Sequence, residues 1–314
     1  MRRPLSAATA VSLSVIIPTY DEPERLEAAL KSLATQDYLP RLVELIVVDD
    51  ASPHFDPDGL RAAAESFPLK LIRHETNQGR ARARNRGVEA ASGDIIVFLD
   101  SDMTVKGDFL QAHATAHRLH PGSVVIGNIL FGDQIPDTCL SHYIDSRGVH
   151  RLKPEESVPF KCFVTGNSSV RRKQLLQVGL FDENFTAYGG EDLELGYRLH
   201  LHGMDFHYAP QALSFHNHLR TLEQICRLMY TYGEKSLSLL LQKHPTLSPL
   251  LRLGFLEMPR FSPRRLFLRL ALTPVVFAPI FLFARWSMER YVPDLVFDYL
   301  WWYNRTRGFL DSDL

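Results

Sequence analysis

Residues 95–102 read IIVFLDSD. Five apolar residues, three of them β-branched, have the composition of a strand buried on both faces. They run straight into two carboxylates, Asp100 and Asp102, spaced i and i+2, with no obvious partner beside either in the sequence. Unpaired charge at the end of a buried strand is costly, so the stretch calls for something positive from elsewhere in the fold or from a ligand.

Working outward from it, the same pattern recurs toward the N-terminus. A short β-branched run (SVIIP, from residue 14) leads to an amphipathic stretch over 24–35, with Leu26, Leu30 and Leu33 on one face, and then to LIVV at 45–48. LKLIRH and a helix over about 80–91 follow, and then IIVFL. Strand and helix alternate, which predicts a largely parallel sheet covered by helices. Right-handed crossovers align the carboxyl ends of parallel strands along one edge, where α/β proteins bind ligands. Three strands end there in polar clusters: Pro18-Thr19-Tyr20-Asp21-Glu22, Asp49-Asp50-Ala51-Ser52 and Asp100-Ser101-Asp102. One such cluster often only caps the next turn; three on one edge point to a site.

The chain has 314 residues, 45% of them hydrophobic, enough for a large core. Its 35 basic and 36 acidic side chains leave no global field to hold nucleic acid. Three cysteines (Cys139, Cys162, Cys226) lack metal-ligand spacing, and the apolar run near the N-terminus is short for a signal peptide. The expectation is a reducing, cytoplasmic compartment. Two carboxylates on a ligand edge suit a hard divalent cation whose remaining ligands are water and substrate phosphate. A dinucleotide oxidoreductase fits poorly, because the first turn, PTYDEPE, lacks the glycine-rich phosphate cradle. A nucleotidyltransferase is the alternative enzyme, although its glycine-rich first loop is also missing.

The blocks SVIIPTYDE, ELIVVDDAS, NQGRARARNRGVEAASGDIIVFLDSD and GNSSVRRKQLLQVGLFDENFTAYGGEDLELGYRLH, in this order and spacing, resemble the inverting family-2 glycosyltransferases. The resemblance covers about residues 14–216 and implies a GT-A fold, an α/β mostly parallel central sheet flanked by helices, here with a helical C-terminal region. By the same resemblance, Pro18, Thr19, Tyr20 and Glu22 form the wall beside base and ribose, and Asp50 reads the base edge. Asn77 and Gly79 open a helix near the nucleotide, on which Arg84 helps neutralise the diphosphate. Asp100 and Ser101 lie near the ribose and metal, Asp102 is the principal ligand to Mn²⁺ or Mg²⁺, and His216 is a further one. Glu191 and Asp192 begin a helix anchored by Leu193 and Tyr197, with Asp192 the proton acceptor. Residues 166–169 (GNSS) underlie the acceptor pocket. The implied donor is a nucleotide-sugar, a UDP-sugar first, and the acceptor a glycan or a lipid-linked hydroxyl in cell-envelope glycan synthesis. A non-catalytic nucleotide-sugar-binding scaffold is the alternative from another class, but it would not need both acidic pairs.

Processive synthases of the family carry a Q-x-x-R-W motif; here Gln224 to Leu228 reads QICRL, without the tryptophan. Single addition is therefore expected. The pattern changes to helices after about residue 220, giving a catalytic domain over 1–220 and a C-terminal region over 221–314. That region contains RRLFLRLALTPVVFAPIFLFARW (264–286), whose apolar run over 270–284 is short for a span and holds Pro274 and Pro279. Arginines 252, 260, 264, 265, 269, 285 and 290 against Glu257 and Glu289 give a local charge of +5. Basic residues around apolar and aromatic ones favour an anionic membrane surface. The segment is expected to hold the protein peripherally at the inner face of the cell membrane as an interfacial or re-entrant element; the alternatives are packing on the catalytic domain or a second copy, and a membrane-spanning helix.

Overall fold

In strands β1 (Leu13–Thr19), β2 (Val43–Asp49) and β4 (Ile95–Leu99), alternate side chains go to two separate cores. Leu13, Val15, Ile17, Val43, Leu45, Val47, Ile95, Val97 and Leu99 join one apolar cluster, and Ile16, Ile46, Val48, Ile96 and Phe98 join the other. The period of two is that of a pleated strand, and both faces being covered is why these strands are apolar throughout. The computed structural model describes residues 11–38, 43–65, 67–153, 156–251, 253, 259 and 261–312. Arg252, Glu257 and Arg260, counted in the local charge above, lie outside the described residues.

The remaining strands are β3 (Leu69–Arg73), β5 (Met103–Val105), β6 (Val124–Phe131), β7 (Asn167–Arg171) and β8 (Phe206–His216), and the sheet order is β3-β2-β1-β4-β7-β6-β8-β5. Pairings β3–β2, β2–β1, β1–β4 and β6–β8 are parallel, and β4–β7, β7–β6 and β8–β5 are antiparallel. The nucleotide-binding arrangement expected from the first half is thus an unbroken parallel run, while the second half of the sheet is mixed.

The helices are α1 (Pro23–Ala34), α2 (Pro57–Ala64), α3 (Arg80–Ala90), α4 (Phe109–Leu119), α5 (Cys139–Asp145), α6 (Arg172–Val178), α7 (Glu191–Leu201), α8 (Leu222–Thr231), α9 (Ser238–Lys243), α10 (Pro263–Ala271), α11 (Pro274–Ser287) and α12 (Asp294–Asp311). The chain divides into two compact units: Met1–Gln134 with Arg147–Thr186 and Glu191–His218, and Ile135–Ser146 with Ala187–Gly190 and Leu219–Leu314. The first holds the sheet. Leu26, Leu30 and Leu33 of α1 are all buried there, as their spacing predicts. In α7, however, the buried face carries Leu195 and Leu199 rather than Leu193 and Tyr197. That rotation buries Glu191 and Glu194, each with an arginine partner: Arg84 Nη1 lies 3.3 Å from Glu191 Oε1, and Arg198 Nη2 lies 2.6 Å from Glu194 Oε2.

A buried carboxylate fastens the parallel half. Glu44 on β2 accepts hydrogen bonds from Ser14 Oγ (2.6 Å), Ser92 N–H (2.6 Å) and Ser92 Oγ (2.9 Å), and pairs with Lys70 Nζ at 2.6 Å. Burial alone would raise its pKa, but Lys70, Ser14 and Ser92 outweigh that and hold it at about 2. A depressed carboxyl stabilises the fold above its ordinary value of 4.5, and that stabilisation is lost as pH falls toward 2. Glu44→Gln is therefore expected to lose about 2 kcal/mol in urea unfolding at pH 7, with a smaller deficit at pH 3. A deficit that does not change with pH would contradict this account.

In the second unit, Leu140, Tyr143, Leu222, Ile225, Cys226, Ala284, Val292, Phe297 and Leu300 form one apolar cluster. Gln224 secures the start of α8 through a reciprocal cap. Its Oε1 accepts from the Thr221 N–H (2.8 Å), and Thr221 Oγ1 accepts from the Gln224 N–H (3.2 Å). No single described helix is long and apolar enough to cross a membrane, and α10 and α11 are bent by 54° with respect to each other.

Candidate active site

The ends of β1 and β2 are tied together by their own backbone. Asp50 N–H donates to Thr19 O (2.9 Å), and Asp21 N–H donates to Ser52 Oγ (2.8 Å). Asp21 and Ala51 hold positive φ angles of 55° and 68° in these turns, a strained conformation of the kind found at ligand sites. A groove lined by Thr19, Glu22, Asp49, Ser52, His54 and Phe55 follows the two strand ends. Thr19 is buried and Tyr20 is 50% exposed. Pro18 lies within β1, one residue before the turn.

Asp50 has more partners than the sequence alone gave it. Its Oδ1 accepts from Gln78 N–H (2.8 Å) and lies 2.7 Å from His74 Nδ1, while its Oδ2 accepts from Gly79 N–H (2.8 Å). The carboxylate thus fixes the loop that enters α3. Base-edge reading is left with whatever acceptor capacity these bonds spare. Gly79, at φ +87°, caps α3 in a conformation that side chains avoid. Asn77, expected beside the nucleotide, is exposed on this loop.

Arg84 is the centre of the constellation. Its neighbours on α3, Arg80, Arg82 and Arg86, are exposed, but Arg84 is 3% exposed. Its Nη2 donates to Asp100 Oδ1 (2.9 Å), and its Nη1 lies 3.3 Å from Glu191 Oε1 and 3.8 Å from Asp192 Oδ1. The guanidinium also sits over the Phe181 ring, 5.7 Å from its centroid. Burial opposes its charge, but Asp100, Asp192 and Glu191 more than offset that and raise its pKa, so it stays a cation. The opening stretch thus finds its first partner: Asp100, unpaired in sequence, is held by an arginine from the preceding helix.

Asp102 finds the second. β5 pairs antiparallel with β8, setting Met103 opposite His216. His216 Nε2 lies 3.0 Å from Asp102 Oδ2, and its ring stacks on Phe131 with centroids 5.8 Å apart. Ser101 Oγ donates to Glu22 Oε2 (2.8 Å), and Glu22 Oε1 takes Arg25 Nη1 (2.7 Å), whose other end meets His218 Nδ1 at 3.0 Å. Glu22, Ser101, Asp100, Asp102 and His216 therefore gather at the ends of β1, β4 and β8.

At the start of α7, Asp192 is 26% exposed on its side chain while Glu191 is buried. Thr165 holds Asp192 through its N–H (to Oδ2, 3.1 Å) and its hydroxyl (to Oδ1, 3.0 Å). Burial, and then the neighbouring Glu191 charge, push the Asp192 carboxyl up to about 6; Arg84 and Thr165 restrain the rise. Thr165 and Phe181 were not among the residues singled out from sequence. The GNSS segment lies mostly inside the sheet. Asn167, Ser168 and Ser169 are fully buried in β7, with Asn167 and Ser169 bonded to His113 and His117. Of this segment it is Gly166 that borders the site: a Cβ there would stand 3.4 Å from Asp100 Oδ2 and 2.9 Å from the Met103 methyl. Thr19 Oγ1, Arg84 Nε and Glu191 Oε2 are buried without a hydrogen-bond partner among the described residues.

Comparison with known proteins gives this geometry a context. A model described as the N-terminal domain of galactosyltransferase matches residues 148–222. The validoxylamine A glucosyltransferase of Streptomyces hygroscopicus subsp. limoneus is 30% identical over 266 residues, covering 76% of this chain and 58% of that protein. Across such curated relatives the chain spans 58 to 64% of their length. A mannosyltransferase from Pyrobaculum calidifontis, solved with GDP-Man and Mn²⁺, superposes with a TM-score of 0.65 at 20% identity, covering 97% of this chain and 88% of that one. S. aureus TarS with UDP-GlcNAc gives 0.55 at 18% identity, covering 92% and 89%. At those identities the likeness is one of fold, the GT-A glycosyltransferase fold. The family model described as glycosyl transferase family 2 matches residues 14–179, more than half of the sequence, and the chain belongs to that family.

Proposed function

We propose that the protein is a metal-dependent inverting glycosyltransferase that moves one sugar from a nucleotide-sugar donor, a UDP-sugar first, to an acceptor hydroxyl. The observation that carries this reading is the convergence of Asp100, at the end of β4, and the Glu191–Asp192 pair, at the start of α7, on the single buried cation Arg84. A donor-side and an acceptor-side carboxylate are thereby held within one charge network. Residues 1–220 are read as the catalytic domain. A glycan or lipid-linked acceptor at the inner face of the cell membrane, used in envelope glycan synthesis, suits the family, whose relatives include the chondroitin synthase of Escherichia coli.

Asp192 takes the proton of the acceptor hydroxyl as its oxygen attacks the anomeric carbon. The bond from that carbon to the diphosphate oxygen breaks on the opposite face, and a nucleoside diphosphate leaves. Thr165, with two bonds to the carboxylate, fixes its orientation. A proton acceptor works best when its pKa approaches the working pH, and burial beside Glu191 moves Asp192 in that direction. Arg84 keeps three carboxylates close together without protonating them. Tyr20 and the groove of Thr19, Glu22 and Ser52 offer a half-exposed wall for base and ribose.

Two carboxylates and an imidazole near one strand edge are donor types that a divalent ion such as Mn²⁺ or Mg²⁺ takes. Asp102 and Asp100, with His216 beside Asp102 at 3.0 Å, would be its donors; among the described residues no group of three or more His, Cys, Asp or Glu side chains is already placed to hold a metal ion, so the ion would enter together with the substrate's diphosphate. Such a donor set leaves coordination positions for a diphosphate and water. When bound, the ion stabilises negative charge on the leaving diphosphate.

A thermal-shift screen of UDP, GDP and dTDP, each with and without Mn²⁺, tests the donor side. A ligand that binds the folded state raises apparent stability by mass action. One nucleoside diphosphate is expected to raise the melting temperature strongly, and only with the metal. No shift with any of them would remove the basis of the reading.

A further inference from the structure

Helix α11 is apolar on two opposite faces. Phe277, Ile280, Phe281 and Ala284 face inward onto the helical cluster, with Phe277 stacked on Tyr303 at 4.2 Å. Val275, Ala278, Leu282 and Trp286, at i, i+3, i+7 and i+11, face outward; Val275 is 82% exposed and Trp286 74%. An α-helix returns to one face at that spacing, so these residues make a continuous stripe. Leu266, Phe267 and Leu270 of α10 are exposed beside it in the chain. Helices apolar all round belong in a protein core or in lipid. Among the described residues this one has protein on one side only.

Its charges indicate what covers the other side. Among described residues 261–291 the ionised side chains are Arg264, Arg265, Arg269, Arg285, Glu289 and Arg290. Arg264, Arg269, Arg285 and Arg290 are exposed, and Arg290 lies over the Trp286 ring at 4.9 Å. Arg285 also pairs with Glu223 at 3.3 Å. A symmetric contact with a second copy would bring this arginine-rich patch against itself, so its charge opposes self-association. A 14-residue helix is about 21 Å long, shorter than the roughly 30 Å hydrocarbon core. Aliphatic, tryptophan and arginine side chains on one short, bent helix pair match the interface of an anionic bilayer, where apolar side chains enter the acyl boundary and guanidinium groups meet headgroup phosphates.

We propose that the outward face of α10 and α11 is a docking surface for anionic lipid, lying in the interface without crossing it. This inference rests on the surface alone, so the transferase reading can fail without it and it can fail without the transferase reading.

The test is flotation of the full chain with vesicles of phosphatidylcholine, or of phosphatidylcholine with phosphatidylglycerol, at low and high salt. Flotation is expected on the anionic vesicles only, weakened by salt. Leu282→Ser with Trp286→Ser should weaken it by about 10-fold or more. Arg264→Gln with Arg269→Gln should remove the preference for anionic lipid. All these side chains are exposed, so the variants should keep the wild-type melting temperature. Equal flotation on both vesicles, or retention through carbonate washing, would overturn the proposal in favour of insertion. Flotation on neither, with a dimer in light scattering that the Leu282 and Trp286 changes dissociate, would overturn it in favour of a second copy.

Discussion

Asp192→Asn binds donor nucleotide and metal as the wild type does and loses sugar transfer by about 10²- to 10⁴-fold, the range expected when a positioned proton acceptor is removed. The substitution preserves shape and leaves an amide oxygen to accept from Thr165, so the α7 start should hold. Removal of one of three negative charges around Arg84 leaves Asp100 and Glu191 to balance it. Binding and turnover therefore separate, which a merely structural acid at a helix start would not produce. The pH dependence adds a second readout. The base acts only as a carboxylate, and burial with Glu191 holds its pKa up at about 6. Wild-type turnover should accordingly fall as pH drops through about 6 and reach a plateau above it, whereas an ordinary aspartate would lose little until about pH 4. A variant turning over near the wild-type rate, or a profile flat down to pH 5, would assign the proton transfer elsewhere.

Asp102→Ala abolishes metal-dependent nucleotide binding while the protein stays folded. Asp102 gains His216 through the β5–β8 pairing. That pairing is made by backbone, and Asn217 N–H still bonds the residue-102 carbonyl in the variant, so loss of the carboxylate should leave the strand pair in place. Asp102→Asn keeps the shape and removes the charge, and should bind nucleotide at least about 10-fold more weakly in Mn²⁺ than wild type, since an uncharged oxygen is a poor ligand for a hard cation. Calorimetric titration of the nucleoside diphosphate, with metal and with chelator, measures both. Equal affinity in wild type and Asp102→Ala with metal present would remove Asp102 from the cation site.

The strands were legible because burial on both faces makes them apolar without alternation, so IIVFL and LIVV stand out as blocks. The three polar strand ends were legible for the same reason: charge directly after a buried run is conspicuous. Arg84 was harder. In RARARNR four arginines alternate and look alike, and nothing in their immediate neighbours separates the buried one from the three exposed ones. The clue lay in the helical period: Ala81, Arg84, Asn85 and Val88 fall at i, i+3, i+4 and i+7 and are all buried. In α7 the pairs Leu193/Tyr197 and Leu195/Leu199 have the same spacing, and the choice between them turned on burying Glu191 and Glu194. Their arginine partners come from α3 and from within α7, and the first of these is a tertiary fact. Thr165 and the His216–Asp102 contact carry no local signal. They meet their partners across 27 and 114 residues through strand pairing and helix placement that no motif announces.

The central claim is that this site moves a sugar and releases a nucleoside diphosphate. Its most direct test identifies the products formed when the full chain is incubated with UDP-, GDP- and dTDP-sugars, Mn²⁺ and a panel of glycan and lipid-linked hydroxyl acceptors, with Asp192→Asn alongside. The account predicts one donor consumed, a nucleoside diphosphate released in step with sugar appearing on an acceptor in inverted anomeric configuration, and neither product from the variant. Pyrophosphate as the product with a nucleoside triphosphate and a sugar phosphate, or equal nucleoside diphosphate release by Asp192→Asn, would contradict it.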